Sequence, residues 1–265
     1  MDIFRVADEW LKGDFGFALA TIVESKGSTP RHNAKMLIRE DKVLYGTIGG
    51  GPGEYKVIDD AIKALENEEN TVEEYIFNKS VEGGLPTQCG GAMKVLIEVF
   101  PKKRRIILIG GGHVNQAVLE LAEKMQWRTV VSDDRPDYAT ATLLPLAAEI
   151  HTADNITDAV IKAQIKASDI CVIATKDCDL AALRETIKYH PAYIGMIGSK
   201  RKVKKIFETL TNEGVQKSQL DAVHAPIGLD IGAETPFEIG ISIMSEIIAF
   251  FNGGQGEHMK DWEKR

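Results

Sequence analysis

The sequence predicts an α/β protein in two parts: an N-terminal α+β half and a second half built on a parallel sheet. Strand and helix patterns mix irregularly before Pro101 and alternate regularly after it. The segment "FPKKRRII", with a proline and four consecutive basic residues, separates the two textures. Directly after it, an apolar strand runs into three glycines and then into a helix pattern. We therefore predict domains at residues 1–100 and 101–265.

The first half contains five strand patterns and one clear helix pattern. The segments "GFALATIVES", "AKMLIRE", "KVLYGTI", "TVEEYIF" and "AMKVLIEVF" have strand character. The segment "GEYKVIDDAIKALENE" repeats apolar residues at helical spacing, which places on one face Val57, Ile58, Ala61, Ile62 and Leu65. This mixture predicts an α+β domain.

The second half alternates strands with helices. The strands "IILIG", "RTVVSDD", "DICVIAT" and "AYIGMIG" are each followed by a helix pattern, one of them at residues 158–165. Such alternation predicts a parallel sheet with helices on both faces. A last helix is expected at "TPFEIGISIMSEIIAF", where Thr235 can cap, Pro236 suits the first position and Glu238 completes a capping box.

Composition excludes several function classes. The 265 residues carry a formal net charge of −7, which argues against nucleic acid as the main partner. We find no secretory signal at the amino terminus and no apolar stretch long enough for a membrane helix. Three cysteines, Cys89, Cys171 and Cys178, are too few and too scattered for a disulfide framework. We therefore expect a cytoplasmic protein with neither a nucleic-acid nor a membrane partner.

The glycine loop after the first strand of the second half predicts a nucleotide site. Gly110, Gly112 and His113 lie where a strand meets a helix, so that free backbone N–H groups can bind a phosphate. Asp133, about 20 residues further on, ends the next strand, where a carboxylate typically accepts hydrogen bonds from a ribose. This arrangement is typical of a Rossmann-like domain. The third glycine of the pattern is replaced by Asn115, which we expect to push the helix outward.

Other strand ends would share this site. Thr175 follows one strand, and Lys200 opens a basic helix start in "GSKRKVKK". Cations there can pair with phosphates, although a basic run can equally be a solvated helix face. A scaffold of this fold that binds no nucleotide is the other interpretation of the same pattern.

Three motifs of the first half combine glycine with polar or sulfur chemistry. They are "KGSTPRHNAKM", "GTIGGGPGE" and "PTQCGGAMKVLIE". Dense glycine is costly unless the backbone needs unusual angles or a close ligand, so we predict a shared binding surface. Cys89 could ligate a soft metal, react as a thiolate, or be a small buried residue. The candidate binding residues are Arg31, Gly49, Gly50, Gly51, Cys89, Gly90 and Gly91.

Seven motifs in order resemble the xanthine dehydrogenase accessory factor family, XdhC/CoxI, in its two-domain form. They are "GSTPR…AKM", "GTIGGGPGE", "CGGAMKVLIE", "IGGGHVNQAV", "SDDRP", "YIGMIGSKRK" and "HAPIGLDIGAETPFEIGISIMSEI". The resemblance implies an accessory protein that binds the molybdenum cofactor, as molybdopterin or its dinucleotide form. It further implies that the protein supports cofactor sulfuration and insertion into a molybdenum hydroxylase such as xanthine dehydrogenase, within purine catabolism.

The resemblance also implies partners and roles for residues. The partners would be the hydroxylase and a cysteine desulfurase-type sulfur donor, and the chain would form a homodimer. Cys89 matches the family cysteine implicated in cofactor handling, and so becomes the candidate metal contact. The glycine loop matches the nucleotide-type site. The chain departs from the family pattern at Asn115 and at Lys176, where many relatives have glycine and histidine.

Two other functions remain open on the sequence. The glycine loop and Asp133 would also suit an NAD(P)-binding oxidoreductase of a small substrate, although no acid–base set stands out. Asn115 would suit a regulatory scaffold with a vestigial nucleotide site. On the resemblance, an accessory protein is expected rather than an enzyme.

Overall fold

The computed structural model describes residues 2–13, 15–27, 33–77 and 91–260. The chain divides into two compact units, Met1–Lys103 and Arg104–Arg265. Within the described residues, no helix combines the length and the apolarity that a bilayer crossing requires.

The first unit is an antiparallel sheet with strand order β3-β2-β1-β5-β4. Helix α2 (Gly51–Asn67) buries Val57 and Ala61 in the core on one face of this sheet. Helix α1 (Ile3–Lys12), which the sequence patterns did not predict, buries Val6 and Trp10 against the other face. The strands are β1 (Phe17–Gly27), β2 (Lys35–Arg39), β3 (Leu44–Gly46), β4 (Thr71–Ile76) and β5 (Gly91–Phe100).

The second unit is a six-stranded parallel sheet with strand order β11-β10-β9-β6-β7-β8. From β6 the chain adds β7 and β8 outward on one side and then β9, β10 and β11 outward on the other, which is the strand order of dinucleotide-binding folds. The predicted fold class is therefore confirmed. The strands are β6 (Arg105–Ile109), β7 (Arg128–Asp133), β8 (Glu149–Thr152), β9 (Ile170–Ile173), β10 (Tyr193–Met196) and β11 (Val223–His224).

Helices cover both faces of the parallel sheet, as predicted. One core contains residues of α4, α5, α6 and α7, and the other contains residues of α3 and α8. Gly240 of α8 packs on Ala117 of α3, where a Cβ at Gly240 would lie 3.0 Å from the alanine Cβ. The helices are α3 (His113–Lys124), α4 (Ile156–Lys162), α5 (Asp179–Thr186), α6 (Lys200–Asn212), α7 (Lys217–Asp221) and α8 (Pro236–Asn252).

Helix α8 begins as predicted, because Thr235 and Glu238 form a complete capping box. The helix expected at 158–165 instead begins at Ile156, where Asn155 caps it, and ends at Lys162. Strands β8 and β11 were not predicted. Strand β8 (EIHT) has a single apolar residue and β11 has only two residues, so neither shows an apolar run or an alternation.

Candidate functional site

The glycine loop joins β6 to α3 at the carboxyl edge of the parallel sheet. A Cβ on Gly110, whose φ is +104°, would lie 2.3 Å from the carbonyl oxygen of Ala174. A Cβ on Gly111 would lie 2.1 Å from the carbonyl oxygen of Tyr138. At Gly112, by contrast, no described atom lies within 4 Å of such a Cβ. The first two glycines therefore serve packing, whereas Gly112 faces open space in which a ligand could approach the backbone.

Asn115 stands at the third glycine position and is buried, at 1% exposure. Its side-chain nitrogen donates to the carbonyl oxygens of Ile109 (3.1 Å) and Gly110 (2.7 Å). The neighbouring Gln116 side chain donates to the carbonyl oxygen of Gly111 at 2.8 Å. The side chains of α3 thus bind the backbone of the loop directly, and this is how the domain accommodates Asn115.

Asp133 ends β7 beside this loop, and its carboxylate is fully engaged. Oδ1 accepts from the backbone N–H and Nε of Arg135, at 2.8 and 2.9 Å. Oδ2 accepts from the backbone N–H of Gly111 at 2.6 Å and from Nη2 of Arg135 at 2.7 Å. Burial alone would raise the pKa of Asp133, but these hydrogen bonds outweigh it and lower the pKa. Four donors match the capacity of a carboxylate, so a ribose hydroxyl would have to displace one of them.

Arg135 is a residue that sequence reasoning missed. Its guanidinium carbon lies 3.9 Å from the centre of the Tyr138 ring, and the carbonyl of Tyr138 is the group that abuts Gly111. The segment from Arg135 to Tyr138 is thereby held against the glycine loop. The signal available in the sequence was the motif "SDDRP", in which an arginine follows the acid by two residues.

Thr175 is already paired within the protein. Its hydroxyl and its backbone N–H donate to Oδ1 of Asp179, the fully buried first residue of α5. Lys202 forms an ion pair with the other oxygen of Asp179. This pairing links the end of β9 to the starts of α5 and α6. No sequence pattern had pointed to Asp179.

Lys200 and His113 lie on the same edge of the sheet, and both are exposed. Each is the first residue of its helix, α6 and α3 respectively, and follows the carboxyl end of a parallel strand. Ser199 caps α6 by accepting from the backbone N–H of Lys202 at 3.2 Å. Both residues therefore lie on the edge of the sheet that carries the glycine loop.

The two described cysteines are poor nucleophiles. Cys171 is completely buried, and burial raises its pKa well above the ordinary value. Burial also raises the pKa of Cys178, together with a hydrogen bond from its Sγ to Oδ2 of Asp134 at 3.5 Å. Both therefore stay as thiols near neutral pH. Among the described residues, no group of three or more His, Cys, Asp or Glu side chains could hold a metal ion.

In the first unit, the glycine turn before α2 is closed on Glu54. Oε2 of Glu54 accepts from the backbone N–H groups of Ile48 and Gly50, both at 3.0 Å, and from the hydroxyl of Thr47. Burial alone would raise the pKa of Glu54, but these hydrogen bonds lower it. The predicted residues Gly49, Gly50 and Gly51 are exposed and have positive φ. An anion that binds to the N–H groups of Ile48 and Gly50 would therefore compete with the carboxylate of Glu54.

Two of the three glycine motifs meet at one end of the first sheet. Gly27 ends β1 and pairs with Gly91, which begins β5. Gly46, the last residue of β3, pairs with Met36 of β2 and so lies level with Ala20 of β1, away from that end. Gly53, at the start of α2, leaves room for Phe77, whose backbone N–H donates to the carbonyl of Gly91 at 2.8 Å. The predicted Arg31, Cys89 and Gly90 lie outside the described residues.

Family models match most of the chain. The model of the XdhC Rossmann domain matches residues 106–247, and that of the XdhC and CoxI family matches residues 10–75. The uncharacterized protein YqeB of Escherichia coli is 36% identical over 256 residues, which are 97% of this chain and 47% of YqeB. A Bacillus subtilis protein named as a probable component of xanthine dehydrogenase is 31% identical over 156 residues, 58% of this chain and 45% of that protein.

A solved structure has the same fold. The crystal structure of a xanthine dehydrogenase from Bacillus halodurans aligns with a TM-score of 0.51 at 20% identity and covers 99% of both chains. The chain spans about half the length of the curated relatives it matches. With the parallel sheet and glycine loop in the second unit and both family models in chain order, the chain belongs to the XdhC/CoxI family, the xanthine dehydrogenase accessory factors.

Proposed function

We propose that the chain is an accessory protein, not a dehydrogenase, which binds the molybdenum cofactor and supports its sulfuration and insertion into a xanthine dehydrogenase-type molybdenum hydroxylase. The observation that carries the proposal is the pair of family matches across both units. The name of the Bacillus subtilis relative supports the link to xanthine dehydrogenase.

The carboxyl edge of the parallel sheet supports a phosphate-bearing cargo. Gly112 is open, and the first turn of α3 has no side-chain cap, so backbone N–H groups there can receive an anion. Lys200 adds a cation on the same edge. The molybdenum cofactor carries a phosphate on its pterin, and this group fits such an edge.

Cys89 is proposed as the sulfur ligand of the cargo. Molybdenum–sulfur centres favour soft donors, and thiolate is the softest donor a protein offers. The two described cysteines of the Rossmann unit have raised pKa values and are not suited to this role. Cys89 belongs to the first unit, where Gly91 and Gly27 pair at the sheet end.

An NAD(P)-linked oxidoreductase is the less favoured function. Asp133 is saturated by Arg135 and Gly111, so the acid on which that hypothesis depends has no free acceptor position. The proposal therefore treats the glycine loop as a phosphate site and not as a nicotinamide dinucleotide site.

The test is retention of the cofactor. The purified chain is incubated with released molybdenum cofactor and desalted, and the bound pterin is oxidised and measured by fluorescence. We expect retention by the unaltered chain, a large loss in Cys89→Ala and no loss in the matched control Cys178→Ser.

Delivery is tested with an apo-hydroxylase. Activation of the apo-enzyme should rise when the loaded chain is added, and less so with Cys89→Ala. The proposal fails if the chain retains no pterin and the hydroxylase matures equally well without it.

A further inference from the structure

We propose that Arg135 is a specificity residue of the Rossmann unit. By occupying the carboxylate of Asp133, it excludes nucleotides that are recognised through a free ribose 2′-hydroxyl. The inference rests on the proposed phosphate site at the glycine loop. Beyond that site, we infer that its ligand is held through a phosphate and that no ribose of the ligand contacts Asp133.

The position of Asp133 is that of a ribose acceptor. It is the last residue of β7, the strand adjacent to β6 in the order of a dinucleotide-binding sheet. In such folds an acid at this place accepts hydrogen bonds from the ribose hydroxyls. The fold therefore supplies the group that NADH would need.

Arg135 occupies the carboxylate of Asp133, which is then not available to a ribose. Its Nε and Nη2 donate one hydrogen bond to each oxygen of Asp133, and its backbone N–H and that of Gly111 donate the other two. The carboxylate is 1% exposed, whereas the Arg135 side chain remains 32% exposed. A ribose would have to break at least one charge-assisted hydrogen bond, a bond about twice as strong as a neutral one.

The guanidinium is held in place from its other side as well. It lies over the Tyr138 ring at 3.9 Å, and Tyr138 is packed against Gly111 through its carbonyl. Moving Arg135 aside would therefore cost the ring contact together with the ion pair. This makes Arg135 a fixed part of the site.

The same geometry disfavours a ribose 2′-phosphate. Arg135 could bind a phosphate only if its charge were not already balanced by Asp133. Asp134 and Asp137 add negative charge on the same segment, and the cations Lys176 and Lys200 follow other strands of the sheet. NADPH should thus be rejected by charge and NADH by the saturated acid.

Removing the guanidinium should create an NADH site. In Arg135→Gln or Arg135→Ala, each oxygen of Asp133 loses one donor and can accept a ribose hydroxyl. One hydrogen bond to a charged group corresponds to a gain in NADH affinity of about ten- to a hundredfold. Affinity for NADPH should not rise, because a bare Asp133 repels its 2′-phosphate.

The experiment titrates the full chain with NADH and NADPH and follows the fluorescence of the bound nicotinamide. Tyr138→Ala is the matched control, since it removes the ring contact and keeps the Asp133–Arg135 pair, and it should gain little. Asp133→Asn added to Arg135→Gln should abolish the gain. Equal NADH affinity in the unaltered chain and Arg135→Gln would overturn the inference, as would a gain that survives Asp133→Asn.

A measurement on the unaltered chain does not depend on the variants folding. ADP and 2′-deoxy-ADP, each titrated directly into the unaltered chain by calorimetry, should bind equally, or equally poorly, because the 2′-hydroxyl finds no free acceptor. A preference for ADP of about tenfold would contradict the inference. Pterin retention is measured separately, so its absence would refute the proposed function and leave the nucleotide comparison standing.

Discussion

His224 and Glu246 form a close polar contact that joins the edge strand β11 to α8, with Nδ1 of His224 lying 2.6 Å from Oε1 of Glu246. The same carboxylate accepts from the hydroxyl of Tyr193 at 2.8 Å and from the backbone N–H of Gly228 at 2.5 Å. The Tyr193 ring stacks on the His224 ring at 4.4 Å. Burial and Glu246 raise the pKa of Tyr193, which therefore remains a hydrogen-bond donor.

Glu246→Ala should destabilise the Rossmann unit. It leaves the Tyr193 hydroxyl and the Gly228 N–H without an acceptor, and each stranded donor costs about 1–3 kcal/mol. Tyr193→Phe should lower the free energy of unfolding by about 1 kcal/mol, since it loses one hydrogen bond. Urea unfolding followed by circular dichroism measures both. Glu120→Ala, an exposed change on α3, is the control, and a Glu246→Ala effect as small as that of the control would refute the prediction.

The three loop glycines should respond differently to alanine. Gly110→Ala and Gly111→Ala would place a Cβ 2.3 and 2.1 Å from a carbonyl oxygen, so the melting temperature should fall by about 5 °C or more. Gly112→Ala has φ −74° and open space, so its melting temperature should stay within about 1 °C of the parent. If the cargo phosphate binds here, Gly112→Ala nevertheless reduces pterin retention. Equal melting temperatures for all three would contradict the packing argument.

The thiol of Cys178 should be alkylated more slowly at pH 8 than a free cysteine thiol. Burial and the Asp134 hydrogen bond raise its pKa, so the reactive thiolate is scarcer than in a free thiol and becomes abundant only at higher pH. Asp134→Asn removes the carboxylate charge and should accelerate the reaction. Peptide-level mass spectrometry after timed iodoacetamide treatment gives the rate, with the buried Cys171 as the internal control. A Cys178 rate equal to that of a free thiol would contradict the expected shift.

Glu54 should make the first unit sensitive to acid. Hydrogen bonds in the glycine turn lower its pKa below the ordinary 4.5, so the folded state binds this proton less tightly than the unfolded state. The stabilisation is present above that value and is lost as the pH falls below it. Glu54→Gln should therefore flatten the decline of stability between about pH 5 and pH 3, compared with the parent. Parallel stability curves for the two proteins would show that the turn does not depend on the charge.

Much of the fold could be predicted because long elements carry their own pattern. The five strand patterns of the first unit, helix α2 and the capped helix α8 agree with the structure within a few residues. The helices and strands that the patterns failed to predict were α1, α7, β8 and β11. Strand β8 contains a single apolar residue and β11 has only two residues, so neither shows the apolar run by which β9 and β10 were predicted. Both are stabilised by pairing with strands that are distant in the sequence.

The candidate site, too, was predictable from the sequence only in part. The sequence by itself determined the strand–glycine–helix junction, because the spacing of glycines and apolar residues is local. Only the tertiary structure decided which groups remain free: Asp133 and Thr175 are taken by Arg135 and Asp179, while Gly112 and Lys200 stay open. The physical reason is that a carboxylate or hydroxyl has a fixed number of hydrogen bonds to make. Which partners fill them depends on contacts between strand ends and helix starts that the chain brings together only on folding.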